Sequence, residues 1–466
     1  MFGIEKLLFK ILERQNKPKE EREEFNIDTK YVHGLLFYNS YFDKISASLS
    51  KDTIAFIVGG WIRDRLLNLP IGKKVDIDIL VTTDPWQIVK NLKDLLGKGD
   101  IFKFEKDTTV ASIVFWEGDT RYRFDFSYLD ISDIMNSNID FQEKELKIVE
   151  RLEENLKDRD FTINAMAILF DDAVGLGASQ TILFDPTDGL EDLHEGIVRP
   201  VSLENIEKDP VRIIRGYRFG AQLDFELDRE FRSWVKKNKN LVKNAPVERV
   251  RDEFFKILEL EDSSKALREL KRDKVLEVIH PVLGKYTGKF ALEILDKFKS
   301  FQVEFKPVFL GEFTKMPAYK LAVILTNANR EEISNLCRDL AFGDKLCRFL
   351  LALVKAVNEL KSLSEEKFSQ WLYKYKDIKE DAFIVASLLG FEKKVSELKD
   401  FYDQVYKTSI VDEPLLSGNE IQNLLNIPPS KEVGKLKESL IEEQLKGRIK
   451  TKEEAKNFLL RLFKGK

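Results

Sequence analysis

The sequence predicts an α+β protein, with a small mixed β-sheet head followed by a long all-helical neck, body and tail. Three observations carry this. Short apolar or alternating runs are interleaved with helical stretches from about Thr53 to Tyr128. Strand-like runs thin out after Asp160, and from about Pro281 onward nearly every stretch has helical spacing. At 466 residues the chain exceeds what one core usually needs, so several domains are expected. The expected divisions are a helical N-terminal extension over 1–50, a head over 51–160, a neck over 161–270, a body over 271–410 and a tail over 411–466.

The elements follow in order. "TIAFIVGG" is a short apolar strand ending in glycines, and "WIRDRLLNL" has helical spacing. "KVDIDILV" alternates as a strand does. "DPWQIVKNLKDLLGKG" has an Asp-Pro start, an apolar stripe and a Gly stop, the marks of a helix. "TTVASIVFWEGDTRYRFDFSYLD" reads as two strands around a turn at Glu117, Gly118 and Asp119. A polar, acidic segment runs from Ile131 to about Lys157, and helices dominate after the turn-rich "DGLEDLHEGIVRP".

Composition excludes several classes. Apolar residues are 43% and charged residues 33%, the balance of a globular chain in water. A net charge of −4 gives no overall basic character, so any nucleic-acid contact would need a local basic face. Cys337 and Cys347 are the only cysteines, beside three histidines. They provide neither a zinc cluster nor a disulfide framework and fit a reducing cytoplasm. The opening "MFGIEKLLFKILERQNKPKEEREEF" mixes acids and bases in a helical pattern, without the apolar centre of a signal peptide. No stretch is long enough to span a membrane, so no membrane association is expected.

Asp76 and Asp78 carry the first chemistry. At i and i+2 of a strand they share one face, about 6.5–7 Å apart along the backbone, while Val75, Ile77 and Ile79 face the core. Paired carboxylates repel unless a cation neutralises them, and Mg²⁺ favours one or two carboxylates plus phosphate oxygens. A solvated strand end would look the same in isolation. Upstream, Gly59 and Gly60 mark a strand-to-helix turn where backbone N–H groups can meet an anion, and Arg63 lies one turn further. The alternative for Arg63 is a salt bridge to Asp64. Asp125 lies in the next strand pair with Phe124 and Phe126 on the opposite face, so it is either a third acid or a solvent-facing Asp. A phosphate cradle beside paired carboxylates is the layout of metal-assisted nucleotidyl transfer.

Five segments in order then carry a resemblance. "GGWIRDRLLNLPIGKKVDIDIL", "DRDFTINAMA", "DPTDGLEDLHEGIVR", "KDPVRIIRGYRF" and "VERVRDEFFKIL" resemble the five motifs of the bacterial-type (class II) tRNA nucleotidyltransferase and poly(A) polymerase family, over about Ile54 to Leu258. The resemblance implies a nucleotidyltransferase-type head, with Mg²⁺ held by Asp76 and Asp78 and the triphosphate held by Gly60 and Arg63. It implies that Arg159 meets nucleotide phosphate and that Asp160 accepts from the ribose 2′-OH, with Asn164 close by. On their own, Asp160, Thr162 and Asn164 also read as helix-capping residues. Asp209 and Arg212 are implied to read the incoming base, an Asp–Arg pair that complements cytosine and adenine but not guanine or uracil. Arg215 and Arg218 continue that ladder, either binding phosphates or holding the pair rigid. Asp185, Asp188 and Asp192 read as turn-shaping residues. Glu248, Arg249 and Glu253 read as a helix start bracing the arm, and His280 as structural, without the Asp partner of a metal phosphohydrolase.

The implied activity is template-independent addition of C, C and, as an open step, A to the 3′ end of tRNA, with CTP and ATP as substrates. The implied partner surface is the tRNA 3′ end and acceptor arm. The enzyme would act as a monomer or homodimer. Two departures bear on this. Lys208 stands where the family usually has Glu. The segment "ISDIMNSNIDFQEKELKIVERLEENLK" also lacks the Arg-rich core of the flexible loop found in CCA-adding members, which keeps a CC-only enzyme open. A poly(A) polymerase is disfavoured because no Gly-Arg-Arg-Phe-like segment follows the first motif. A non-catalytic RNA-binding protein is disfavoured by the intact Asp76 and Asp78, and transfer to a small acceptor by the long arm. From Ser430 onward the tail has a local excess of Lys and Arg, fitting either a solvated helical surface or RNA backbone. "PPSKEVGK" would set a helix start against a phosphate.

Overall fold

A computed structural model describes residues 29–32, 37–103, 109–174, 181–300, 308–309 and 313–464, and the chain divides into two compact units, Met1–Glu253 and Phe254–Lys466. In the first unit an eight-stranded mixed sheet has the order β1-β8-β7-β2-β3-β6-β5-β4. Its strands are β1 (Thr29–Val32), β2 (Ala55–Val58), β3 (Lys74–Val81), β4 (Asp100–Lys103), β5 (Val110–Glu117), β6 (Thr120–Tyr128), β7 (Ala167–Leu169) and β8 (Thr181–Phe184). β2 runs antiparallel to β3, β3 parallel to β6, and β5 and β6 form a hairpin closing at Gly118 and Asp119.

The local signals act as expected. The helix Pro85–Leu96 starts where the Asp84 carboxylate accepts from the Trp86 N–H and stops at Gly97, whose φ is +65°. Two boundaries shift. The sheet recruits β7 and β8 from beyond residue 160, so it outruns the expected head. β1 is a strand inside the extension expected to be helical, paired to β8. Helix Phe42–Ser48 meets the helical expectation there, and residues 1–28 and 33–36 lie outside the described residues. The acidic segment after β6 folds as helices Ser132–Asn136 and Phe141–Lys157. The second helix sinks Ile148, Val149, Leu152 and Leu156 into a core with Phe56, Val58, Leu80 and Phe184. Its charges were visible in the sequence, but the stripe at helical spacing decides its place.

Past the sheet, the first unit ends in helices Gly189–Glu195, Leu203–Lys208, Val211–Leu223 and Arg229–Asn238. Helix Val247–Glu259 begins within it. The second unit is helical among the described residues, apart from an isolated bridge between Phe309 and Phe313. Its last helices, Gly418–Leu425, Lys431–Leu445 and Lys452–Lys464, close around Ile421, Leu436, Leu440 and Leu459. His280 is structural: Nδ1 accepts from the Val282 N–H at 3.2 Å and caps helix Pro281–Tyr286. It does have an Asp partner, with Nε2 at 3.3 Å from Asp339, but the cap occupies its other nitrogen.

Candidate active site

Strand alternation builds the acidic face. Val75, Ile77 and Ile79 are buried, which turns Asp76 and Asp78 to the open side of β3. The parallel register sets Asp78 opposite Asp125 and Asp76 opposite Arg123, while Phe124 and Phe126 are buried on the far side. Three carboxylates and two arginines, Arg121 and Arg123, thus share one face, on strands about 4.8 Å apart. Arg123 Nε donates to Asp125 Oδ1 at 2.9 Å, and the Ser112 hydroxyl, from β5, donates to the same oxygen. The Arg121 guanidinium lies 3.5 Å from Asp76.

The face is left electrostatically unfinished. Asp78 reaches solvent on one side but is crowded by protein on the others. That crowding, with Arg159 opposing it and Asp125 and Asp76 adding to it, pushes its carboxyl up to about 6. Crowding also raises Asp76, against the pull of Arg121 and Arg123. Among the described residues no group of three or more His, Cys, Asp or Glu side chains is placed to hold a metal ion. Two open carboxylates held above their ordinary range nonetheless suit a hard cation that takes its remaining ligands from phosphate and water.

The glycine turn touches this face directly. Gly59 has φ +79°, and a Cβ there would lie 3.0 Å from the Arg159 guanidinium and 3.2 Å from an Asp78 oxygen. Only a bare backbone fits between them. The Gly59 N–H already donates to the Met166 carbonyl at 3.2 Å, so Gly60, heading helix Gly60–Leu66, supplies the N–H with no intrahelical acceptor. Arg63 makes the salt bridge to Asp64 that is the alternative to a triphosphate contact. Its side chain is 5% exposed, pairs with Asp64 at 2.6 Å, donates to Asn164 Oδ1 at 2.6 Å and stacks on Phe219. Its position on the inner face of a short helix, beside Trp61 and Ile62, dictates this.

The second motif is likewise drawn inward. Asp160 Oδ1 accepts from the Phe161 N–H at 2.8 Å and from Asn164 Nδ2 at 3.2 Å, and Oδ2 pairs with Arg215 at 2.7 Å. Burial would raise its carboxyl, but Arg215 and these hydrogen bonds hold it below the ordinary range. Its acceptor positions are met inside the protein, by the Phe161 N–H, Asn164 and Arg215. Arg159 stays beside Asp78. Burial lowers its guanidinium pKa, with Asp78 and Asp160 working against that.

The ladder on helix Val211–Leu223 splits into two jobs. Asp209 precedes the helix and is gripped by Arg249, Nη1 to Oδ1 at 3.0 Å and Nη2 to Oδ2 at 2.7 Å. Arg212 reaches Asp209 only at 3.7 Å and donates to the carbonyls of Asn205 at 3.1 Å and Arg159 at 3.4 Å. Arg215 and Arg218 face inward. Arg215 joins Asp160 and Glu253, Arg218 meets Glu253 at 2.8 Å, and both lie over the Phe219 ring with Arg63. Both guanidiniums are thus engaged in ion pairs with carboxylates of the protein. Asp185 and Asp192 do shape turns: Asp185 accepts from the Gly189 and Leu190 N–H groups, and Asp192 holds Thr162 and Arg199.

Comparison with known proteins places the chain among nucleotidyltransferases. The family described as "Poly A polymerase head domain" matches residues 55–199, and that described as "Probable RNA and SrmB- binding site of polymerase A" matches 224–286. The CCA-adding enzyme of Ligilactobacillus salivarius is 28% identical over 403 residues, covering 85% of this chain and 89% of that protein. The CC-adding tRNA nucleotidyltransferase of Thermus thermophilus is 27% identical over 441 residues, covering 87% and 93%. A solved structure described as the complex of a CCA-adding enzyme with CTP superposes with a TM-score of 0.59 at 23% identity, over 99% of this chain and 98% of that one. The chain belongs to the class II tRNA nucleotidyltransferase and poly(A) polymerase family.

As a class II nucleotidyltransferase, the chain has its acidic face inside the matched head, on β3 and β6, and family members work with a divalent metal. Sequence reasoning missed Arg123 and Ser112. Arg123 was findable, since it stands two residues before Asp125 in an alternating strand and must share its face. Ser112 required the hairpin register. Among the described residues no helix is long and apolar enough to cross a membrane.

Proposed function

We propose that this chain adds C, C and A to the 3′ end of tRNA, taking CTP and ATP and releasing pyrophosphate without a nucleic-acid template. The observation that carries this is the open pair Asp76 and Asp78 with Gly59 and Arg159 packed against it, in a chain of this family. Asp76 and Asp78 would hold Mg²⁺, with Asp125, fixed by Arg123 and Ser112, as third acid of the face. When bound, Mg²⁺ supplies Lewis-acid activation of the attacking hydroxyl and neutralises the triphosphate. The tRNA 3′-hydroxyl gives its proton to solvent as its oxygen bonds to the α-phosphorus, and the α–β phosphoanhydride breaks with pyrophosphate leaving. Gly60 and Arg159 orient the phosphates. Asp209 accepts from the amino group that cytosine and adenine share, Arg212 faces the adjacent ring acceptor, and Arg215 and Arg218 brace them through Asp160 and Glu253.

The functional division follows the chain: the head sheet, from β1 to β8, for chemistry, the helices from Gly189 to about residue 270 for nucleotide choice, a body over 271–410, and a tail over 411–466 for tRNA contact. The free Cys337 and Cys347 suit the cytoplasm, where tRNA ends are completed. A CC-only enzyme is the second reading, favoured by the regular helix Phe141–Lys157 where an Arg-rich loop would stand. The deciding experiment offers tRNA lacking its last three nucleotides single and paired nucleotides. CTP alone should add two residues, and CTP with ATP three. Extension stopping at two with ATP present establishes the CC-only form. Long oligo(A) on any RNA would sink the tRNA reading.

A further inference from the structure

We infer that Arg249 is a positioning residue for base selection, acting by fixing the plane of the Asp209 carboxylate. The inference rests on the reading of Asp209 as the acceptor for the amino group of the incoming base. Asp209 lies between helices Leu203–Lys208 and Val211–Leu223, its N–H on the Asn205 carbonyl at 3.3 Å and its carbonyl accepting from the Arg212 N–H at 3.0 Å, which fixes the backbone but not the plane of the carboxylate. Its orientation must come from side-chain partners. The strongest is Arg249, in the first turn of helix Val247–Glu259, whose two terminal nitrogens meet the two carboxylate oxygens at 3.0 and 2.7 Å. That is a two-pronged fork, which sets a plane as well as a distance. Arg212 cannot do this from 3.7 Å through Nε, with Nη1 engaged by two backbone carbonyls.

The fork has a chemical consequence. It uses one lone pair on each oxygen and leaves the others on the side away from Arg249. An amino N–H can be met there, beside Arg212 and its donors. A carboxylate free to turn could instead accept the N3–H of uracil or the N1–H of guanine, and discrimination would fall. The exposure is consistent: the Asp209 side chain is 22% open, and Arg249 approaches from the solvent side at 53%.

The test uses the full chain and truncated tRNA, with kcat and KM measured for CTP, ATP, UTP and GTP. Arg249→Gln should raise KM for CTP and ATP about tenfold and cut the CTP-to-UTP ratio of kcat/KM by about tenfold or more, with kcat moved less than about threefold. Arg249→Lys should fall between, because a point charge cannot reproduce a fork. Wild-type KM and wild-type discrimination in Arg249→Gln overturn the proposal. If melting curves show Arg249→Gln unfolded, the discrimination ratio of Arg249→Lys decides in the same way. Asp209→Ala separates the layers. Unchanged discrimination there overturns the base-reading role of Asp209 itself. Lost discrimination there with an intact ratio in Arg249→Gln overturns only the role of Arg249.

Discussion

Asp160 and Arg215 form a 2.7 Å ion pair between the segment after helix Phe141–Lys157 and helix Val211–Leu223, with the Asp160 side chain 8% exposed. Arg215 also reaches Glu253, and Glu253 also holds Arg218, so four charged groups from three elements are tied in series. Removing one member leaves a buried opposite charge without its partner. Arg215→Met should therefore lower stability by roughly 3 kcal/mol, read by urea unfolding. A loss under about 0.5 kcal/mol would show that the remaining hydrogen bonds of Asp160 suffice.

Asp78→Asn tests the chemistry. The substitution keeps the shape of the side chain and removes the charge that a cation would bind. Nucleotide addition should fall by roughly 10³-fold or more, with circular dichroism and melting behaviour retained. A fall under about tenfold would move the metal-binding role elsewhere.

Gly59→Ala puts a methyl group at φ +79°, against both Arg159 and Asp78. It should cost about 1–2 kcal/mol of stability and also depress kcat, because the clash falls on the acidic face itself. Comparison with Gly72→Ala, where a Cβ meets nothing within 4 Å, isolates the effect.

Lys320 supplies a pH dependence away from the site. It is fully buried in helix Met316–Ile324, and burial pushes its ammonium down to about 8, against the pull of Glu259, Asp262 and Glu261. Below that pH the folded state carries a buried charge. Between about 8 and 10 the unfolded chain holds more protons than the folded one, so stability rises with pH across that window. Lys320→Met should stabilise by about 1–2 kcal/mol at pH 7, net of the hydrogen bond lost at the Leu260 carbonyl, and by less at pH 9.5. Urea unfolding at the two pH values checks it, and an equal change at both would refute the titration.

The sheet and its acidic face were readable because period-2 alternation at Val75, Asp76, Ile77 and Asp78 assigns faces with no knowledge of partners. Gly59 and Asp84 were readable because turn and cap chemistry is local. For Arg63 only the neighbouring Asp64 was readable, and for Asp160 and Arg215 the partners were not. Which way a charged residue on a short helix or irregular segment points depends on groups far along the chain, 101 positions away for Arg63 and Asn164 and 55 for Asp160 and Arg215. Strands β7 and β8 were hidden for a similar reason: three- and four-residue runs become strands by joining a sheet already built. The grip of Arg249 on Asp209 spans 40 positions and leaves no spacing signature.

The parallel pairing of β3 and β6 has one more consequence. If β6 slid by a single residue, Phe124 and Phe126 would be thrust into water and Asp125 and Arg123 driven into the apolar layer. Such a chain would be too unstable to persist. The enzyme thus has its own quality control: a molecule whose acids are out of line is also one that does not stay folded, so few inactive but intact copies should accumulate.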